Sequence, residues 1–337
     1  MPLEGLYSSL VAFGIIAGVY SVFVLGLNLH WGQTGLFNFG VAGFFAIGAY
    51  TSTLVTMPQP TGEYARYVEV FFALGMPFVI GVASAGIMAG LVAFLVGIPG
   101  LRLREDYLAI ATIGFAETVR LVFNNERWLA NGTRGLSGLP QPLREAVPDP
   151  LWPLVYLAIV AAIILAIYLV LGRSLRSPWG RVLRAIREDE VVAAAVGKNV
   201  FAFKLQALVL GAAIMGIGGA LYTHYHAFLA PDVFDPFFAT LLVWVMLILG
   251  GRGNNKGAIL GALVVWAIWE GTRYFTSPLL PGPLEARAPY VRLALIGILL
   301  IAVLMLRPNG LLPEEKEGTR ERLADPRIRG KPAKPAP

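Results

Sequence analysis

The sequence predicts an all-α integral membrane protein, a polytopic bundle of roughly nine or ten transmembrane helices. Three observations predict it. The 337 residues are 56% hydrophobic and only 14% charged, where soluble domains carry about a quarter charged residues, and the mean hydropathy is +0.67. Apolar runs of the ~20 residues needed to cross a bilayer recur along the whole chain. The charges are set between those runs: of 27 Lys and Arg, seven lie in Arg173–Lys204 and eight from Arg307 onward.

Taken in order, the candidate spans are 6–27, 35–57, 70–97, 107–124, 152–171, 203–223, 234–250, 257–275 and 289–306. Repeated helical crossing is what lipid demands, because helices satisfy their own backbone. The first run, Leu6 to Leu27, has no basic segment ahead of it and leads into more apolar sequence, so it is expected to be retained rather than cleaved. Residues 1–306 then form one membrane domain. Residues 307–337 form a polar, proline-rich tail expected to be disordered.

The longest polar island is Leu171 to Lys204, with Glu188, Asp189 and Glu190 among its seven cations. Lys and Arg in short loops resist translocation, so this loop is expected in the cytoplasm. Counting spans from it puts Arg102, Arg104, Arg252, Lys256 and the tail inside as well. Segments 58–69, 125–151, 224–233 and 276–288 fall outside, and nine spans place the N-terminus outside. Basic loops facing anionic lipid account for the +6 net charge; nucleic-acid binding is not expected.

The second span opens with polar Asn28, Gln33, Thr34 and Asn38 among Gly32, Gly35, Gly40, Gly43 and Gly48. Small residues can pack helices closely, and polar residues on a broken helix can line a substrate route. The four polar residues are therefore candidates for a translocation path. Gly211, Gly216, Gly218 and Gly219, and the Gly257/Gly261 pair, read as close helix packing. The loop 125–150 is dense in turn formers and reads as an ordered lid or docking surface rather than a domain.

Glu117 with Arg120, and Glu270 with Arg273, stand at i and i+3 and are expected to pair within their helices. His224 and His226 flank Tyr225 where the sixth span ends and are expected in an interfacial aromatic belt. No third ligand accompanies them, and with no cysteine in the chain no metal site is predicted. The phosphate-binding G-x-x-x-x-G-K-[ST] loop is absent from the sequence, as are hydrolase and zinc-protease motifs, so any ATP that drives the protein is expected on another chain. In the island, Gly180 to Val196 has few helix breakers, and Leu183, Ile186, Glu190 and Ala194 fall on one helical face; short helices there are expected to present an amphipathic surface to a soluble partner.

These residues resemble a known family. GRVLRAIREDEVVAAAVGKNVFAFKLQALVLGAAIMGIGGALY is similar to the cytoplasmic coupling region of branched-chain amino-acid ABC-transporter permeases of the LivM type. LRLREDYLAIATIGFAETVRLVFNN followed by NGTRGLSGLP, GQTGLFNFGVAGFFAIGAYT and GGRGNNKGAILGA match further segments, over about residues 25 to 310. Asn38, Val41 and the Arg252–Lys256 turn depart from the residues common there.

The resemblance implies the ABC-importer permease fold, an inner-membrane location and a LivH-type permease partner. It also implies two ATP-binding cassette subunits and an extracytoplasmic substrate-binding protein. No cofactor is expected on this chain, since ATP and Mg would bind the ATPase subunits. Within 172–204, Arg184, Arg187, Glu188, Glu190 and Gly197 would belong to the coupling region. The cargo implied is a branched-chain or similar small hydrophobic amino acid, with urea or short-chain amides as the alternative on the same scaffold. An ion-coupled secondary transporter is the competing class.

Overall fold

The computed structural model describes residues 3–279, 288–307 and 309–314, and it is helical in nearly all of its membrane-length segments. The elements are α1 (Leu3–Leu27), α2 (Val41–Thr56), α3 (Phe78–Gly100), α4 (Glu105–Asn125), α5 (Arg127–Ala130) and strand β1 (Leu136–Ser137). There follow α6 (Trp152–Arg176), α7 (Pro178–Glu188), α8 (Glu190–Ala195), α9 (Val200–His226), strand β2 (Phe228–Leu229), α10 (Pro236–Gly250), α11 (Asn255–Leu279) and α12 (Ala288–Leu306). Each predicted span has one helix. Four of them, within α1, α3, α6 and α9, are long and apolar enough to cross a membrane unaided.

Helix α1 is the axis of the bundle. It is apolar on every side, the pattern of a helix enclosed by others, and Ile15, Val19, Val22, Val24 and Leu25 are fully buried. Helices α6, α9 and α11 surround it. The periphery is apolar and exposed, as lipid contact requires: Ile87, Leu91 and Leu95 on α3, Ile110 on α4, and Leu165, Leu169 and Val170 on α6.

The glycines do what their spacing predicts. Gly216 of α9 lies so close to α3 that a Cβ there would sit 2.6 Å from the Ala85 carbonyl oxygen, and a Cβ on Gly48 of α2 would strike Gly216 itself. Thus α2, α3 and α9 meet backbone to backbone. At the α10–α11 contact a Cβ on Gly261 would come within 2.8 Å of Gly250 Cα.

Two ends are defined by the long helices α6 and α9, of 25 and 27 residues, each ~40 Å long. One end carries α7 and α8. The other carries a cap built from 57–77, 126–151 and 227–235, where β1 pairs antiparallel with β2 and Val70 bridges Ala130. The cap is ordered, as the turn-rich loop suggests. Asn131 accepts from the Glu69 N–H and donates to Gly135 O at 2.7 Å, Gln141 donates to Tyr225 O, and the Trp152 indole to Pro142 O.

Several boundaries differ from expectation. The third helix starts at Phe78 rather than 70, because the backbone of 74–76 is irregular and bonds to Leu54, Val55 and Met57 before Pro77 starts the helix. His224 is buried within the protein rather than presented to lipid. Helix α9 continues through it, and its buried ring hydrogen-bonds Ser52 at 2.9 Å and Pro140 O at 2.7 Å. The polar tail does not begin at 307: Leu311 N and Leu312 N donate to Leu249 O and Gly250 O. The rest of the 307–337 tail for which disorder is expected, residues 315–337, lies outside the described residues.

Candidate functional site

The feature that departs most from a simple bundle is the chain between α1 and α2. Asn28, Gln33 and Thr34 do not open the second helix. Asn28–Gln33 continues α1 as a π-helical turn, and Leu36 to Gly40 is irregular, turning back into the bundle. Helix α2, with 16 residues, is ~24 Å long and too short for a ~30 Å core alone. The irregular segment supplies the rest of the crossing. Gly35, at φ +79°, permits the reversal without steric cost.

Non-helical backbone at membrane depth is tolerated only where protein satisfies it, and side chains from several helices bond to this segment. Phe39 N donates to Thr112 Oγ1 at 3.0 Å, Gly40 N to Asn38 Oδ1 at 2.8 Å and Ala42 N to Thr240 Oγ1 at 3.2 Å. The Trp244 indole donates to Asn38 O at 3.1 Å. Because Asn38 Oδ1 accepts from Gly40, its Nδ2 must face His30 Nδ1, at 2.9 Å. His30 therefore accepts on Nδ1 and donates from Nε2 to Leu208 O, also at 2.9 Å, which is the neutral imidazole. Trp244 also stacks on Phe39, with centroids 4.5 Å apart and planes at 11°.

The other path candidates spend their polar groups the same way. Asn28 donates to Asn255 Oδ1 and accepts from Gly253 N, both at 2.8 Å. Gln33 Nε2 donates to Gly253 O at 2.6 Å, and Thr34 Oγ1 to Leu29 O at 2.9 Å. All four are buried. Among the side-chain polar atoms of these four residues, Gln33 Oε1 is the one left buried without a hydrogen-bond partner. His30, Thr112, Thr240 and Trp244 belong to this constellation, and the first three were not singled out from sequence. The available signal was a lone histidine between Asn28 and Asn38 in an apolar run.

The island forms a pair of short helices at the opposite end from the cap. Leu183, Ile186 and Ala193 are buried against the bundle. The continuous face running on to Glu190 and Ala194 is not present, because the chain breaks at Asp189 (φ −157°). Its carboxylate accepts from Val192 N and caps α8, the competition that keeps Asp out of helix interiors. Glu190 pairs instead with Lys204 of α9. Gly197, at φ +81°, ends α8 as only glycine does cheaply. Val191, Val192 and Val196 are left 78%, 58% and 67% exposed, an apolar patch outside the lipid-length helices.

Arg184 donates to Leu175 O at 3.2 Å. Arg187 is the hub. Its guanidinium donates to Gly32 O on the π turn and, at 2.9 Å each, to Glu188 Oε1 and Glu314 Oε2. Burial opposes its charge, but the bonds to Glu314 and Glu188 outweigh burial and hold its pKa above the ordinary guanidinium value. Helix α7, the π turn after α1 and the tail segment are thereby joined through one side chain.

Glu117 and Arg120 pair as expected, at 3.0 Å and 2.5 Å in a two-pronged contact. Glu270 is half-buried on α11, while the Arg273 side chain lies outside the described residues. No cluster of three metal-ligating side chains occurs among the described residues.

Comparison with known proteins agrees with this architecture. Residues 9–304 match the family model for the permease component of the branched-chain amino acid transport system. The chain is 32% identical over 317 residues to the high-affinity branched-chain amino acid transport system permease protein LivM of Escherichia coli, covering 88% of this chain and 68% of that one. It is 29% identical to the probable LivM of Methanocaldococcus jannaschii, covering 88% and 91%. It is 24% identical to LivH of Escherichia coli, covering 74% and 80%. No solved structure matches. A multi-pass membrane transport subunit, the chain belongs to the family of branched-chain amino acid transport system permease components.

Proposed function

We propose that this chain imports branched-chain or similar small hydrophobic amino acids as one permease half of an ATP-driven transporter. Its relatives carry that transport activity in their names. A LivH-type chain forms the other half, two ATP-binding cassette subunits hold ATP and Mg, and an extracytoplasmic protein delivers cargo. The α7–α8 end faces the cytoplasm, the cap faces outside, and α3, α4 and α6 meet lipid or the partner permease.

One observation carries this reading: a helix pair outside the bundle exposes Val191, Val192 and Val196 while Arg187 ties it to the base of the broken crossing. Such a patch suits a soluble motor's groove, and Arg187 transmits its displacement to Gly32. Arg184 and Glu190 fasten the helix pair to α6 and α9. Asn28, Gln33, Thr34 and Asn38 shape the route by holding the irregular segment in place. Cargo needs only a transient polar path, because affinity resides in the delivery protein. Urea and short-chain amides would use the same scaffold.

The test is uptake of labelled L-leucine into proteoliposomes holding the complete purified assembly. ATP-dependent uptake that requires the ATPase subunits and survives a protonophore is expected. Uptake without those subunits that collapses with the protonophore would overturn the reading in favour of ion coupling.

A further inference from the structure

Between α7, the 251–254 turn and the tail segment lies a cavity of 420 Å³, lined in part by Trp31, Ile248, Leu304, Glu188, Arg252 and Glu314. Its size is that of a small-molecule pocket. Its charge is unevenly distributed. Two carboxylates, Glu188 and Glu314, share the single positive charge of Arg187 at 2.9 Å each, which leaves net negative charge on that wall. Arg252 lies 5.3 Å over the Trp31 ring and has no carboxylate partner among the described residues, which leaves net positive charge on the other. Trp31, Ile248 and Leu304 supply apolar surface between them.

We propose that this cavity is a second binding site, at the coupling end, for a small zwitterion with an apolar side chain. The ligand's ammonium meets Glu188 and Glu314, its carboxylate meets Arg252, and its side chain covers Ile248 and Leu304. An inorganic anion would be repelled by the acid pair and a simple cation by Arg252, so both charges are needed on one molecule. A neutral zwitterion adds no net charge to the site. Occupancy would bridge α7, the 251–254 turn and the tail, the parts Arg187 and Asn254 already join, and so slow the motion of the coupling helices. Imported product would then restrain its own import, which rests on the function proposed above.

The test is equilibrium binding of tritiated L-leucine to the purified complete transporter without its delivery protein. R252Q should weaken binding by at least about tenfold, the loss of one charge-assisted contact. L304W, which fills the cavity without altering charge, should abolish it. Isoamylamine and isocaproate, each carrying one of the two charges, should not compete. Leucine added on the ATPase side should slow ATP hydrolysis in the unmodified protein and not in R252Q. Binding unchanged in both variants, or equal competition by either single-charge analogue, would overturn the proposal. Delivery-dependent leucine uptake without such binding would overturn this inference alone; absence of leucine uptake in the unmodified assembly would overturn the functional reading and this one together.

Discussion

Replacing Asn38 with leucine should abolish uptake and lower the yield of folded chain. Asn38 holds two buried groups at once, Gly40 N–H and His30 Nδ1. Leucine supplies neither partner, and each orphaned buried group costs about 1–3 kcal/mol. Water cannot make up the loss, because the segment is enclosed by α4, α9 and α10 through Thr112, Leu208 and Trp244. Asn38→Ser is the control. Its hydroxyl can still accept from the Gly40 amide while releasing His30, so it should retain intermediate uptake. Thermal denaturation of the purified assembly, read beside uptake, separates the outcomes. A fully stable and active Asn38→Leu protein would show that the irregular segment does not depend on this pin.

Double replacement of Val191 and Val192 with lysine should leave insertion and stability intact and reduce leucine uptake to background. Both side chains are exposed, so their loss removes little packing within the chain, and surface changes of this kind usually move stability by no more than ~0.5 kcal/mol. Against a partner the effect is different. Burying two unpaired ammonium groups in an apolar contact costs several kcal/mol, enough to detach an ATPase subunit. Co-purification of the ATPases should fall in parallel with uptake. Normal co-purification with normal uptake would show that the motor docks elsewhere.

How much of this was legible in the sequence depends on the distance over which the information acts. The long apolar helices α6 and α9 were read correctly because each is specified locally by its own run of residues. The glycines of α9 and α11 were equally legible, since their spacing along one helix states that something must approach closely. The turn from α1 to α2 was placed on the wrong helix. Its Asn, Gln and Gly residues signal irregular backbone but carry no direction, and only the Thr112, Thr240 and Trp244 contacts decide where it points. The same limit hid the Arg187 hub, whose partners Gly32 and Glu314 lie 155 and 127 residues away. The break at Asp189 is different: a capping aspartate was visible, and helical periodicity on both sides masked it. His224 read as interfacial because its burial depends on Ser52 and Pro140, which the periodicity of α9 does not report.

The claim on which the account rests is that the α7–α8 end lies inside the cell and the cap outside, and the natural absence of cysteine makes it directly measurable. Single cysteines at Lys198, exposed at the end of the island, and at Leu143, 56% exposed in the cap, should be treated in intact cells with a membrane-impermeant maleimide. Leu143→Cys should be labelled at once and Lys198→Cys only after the membrane is permeabilised. Labelling of Lys198→Cys from outside, with Leu143→Cys protected, would contradict this orientation.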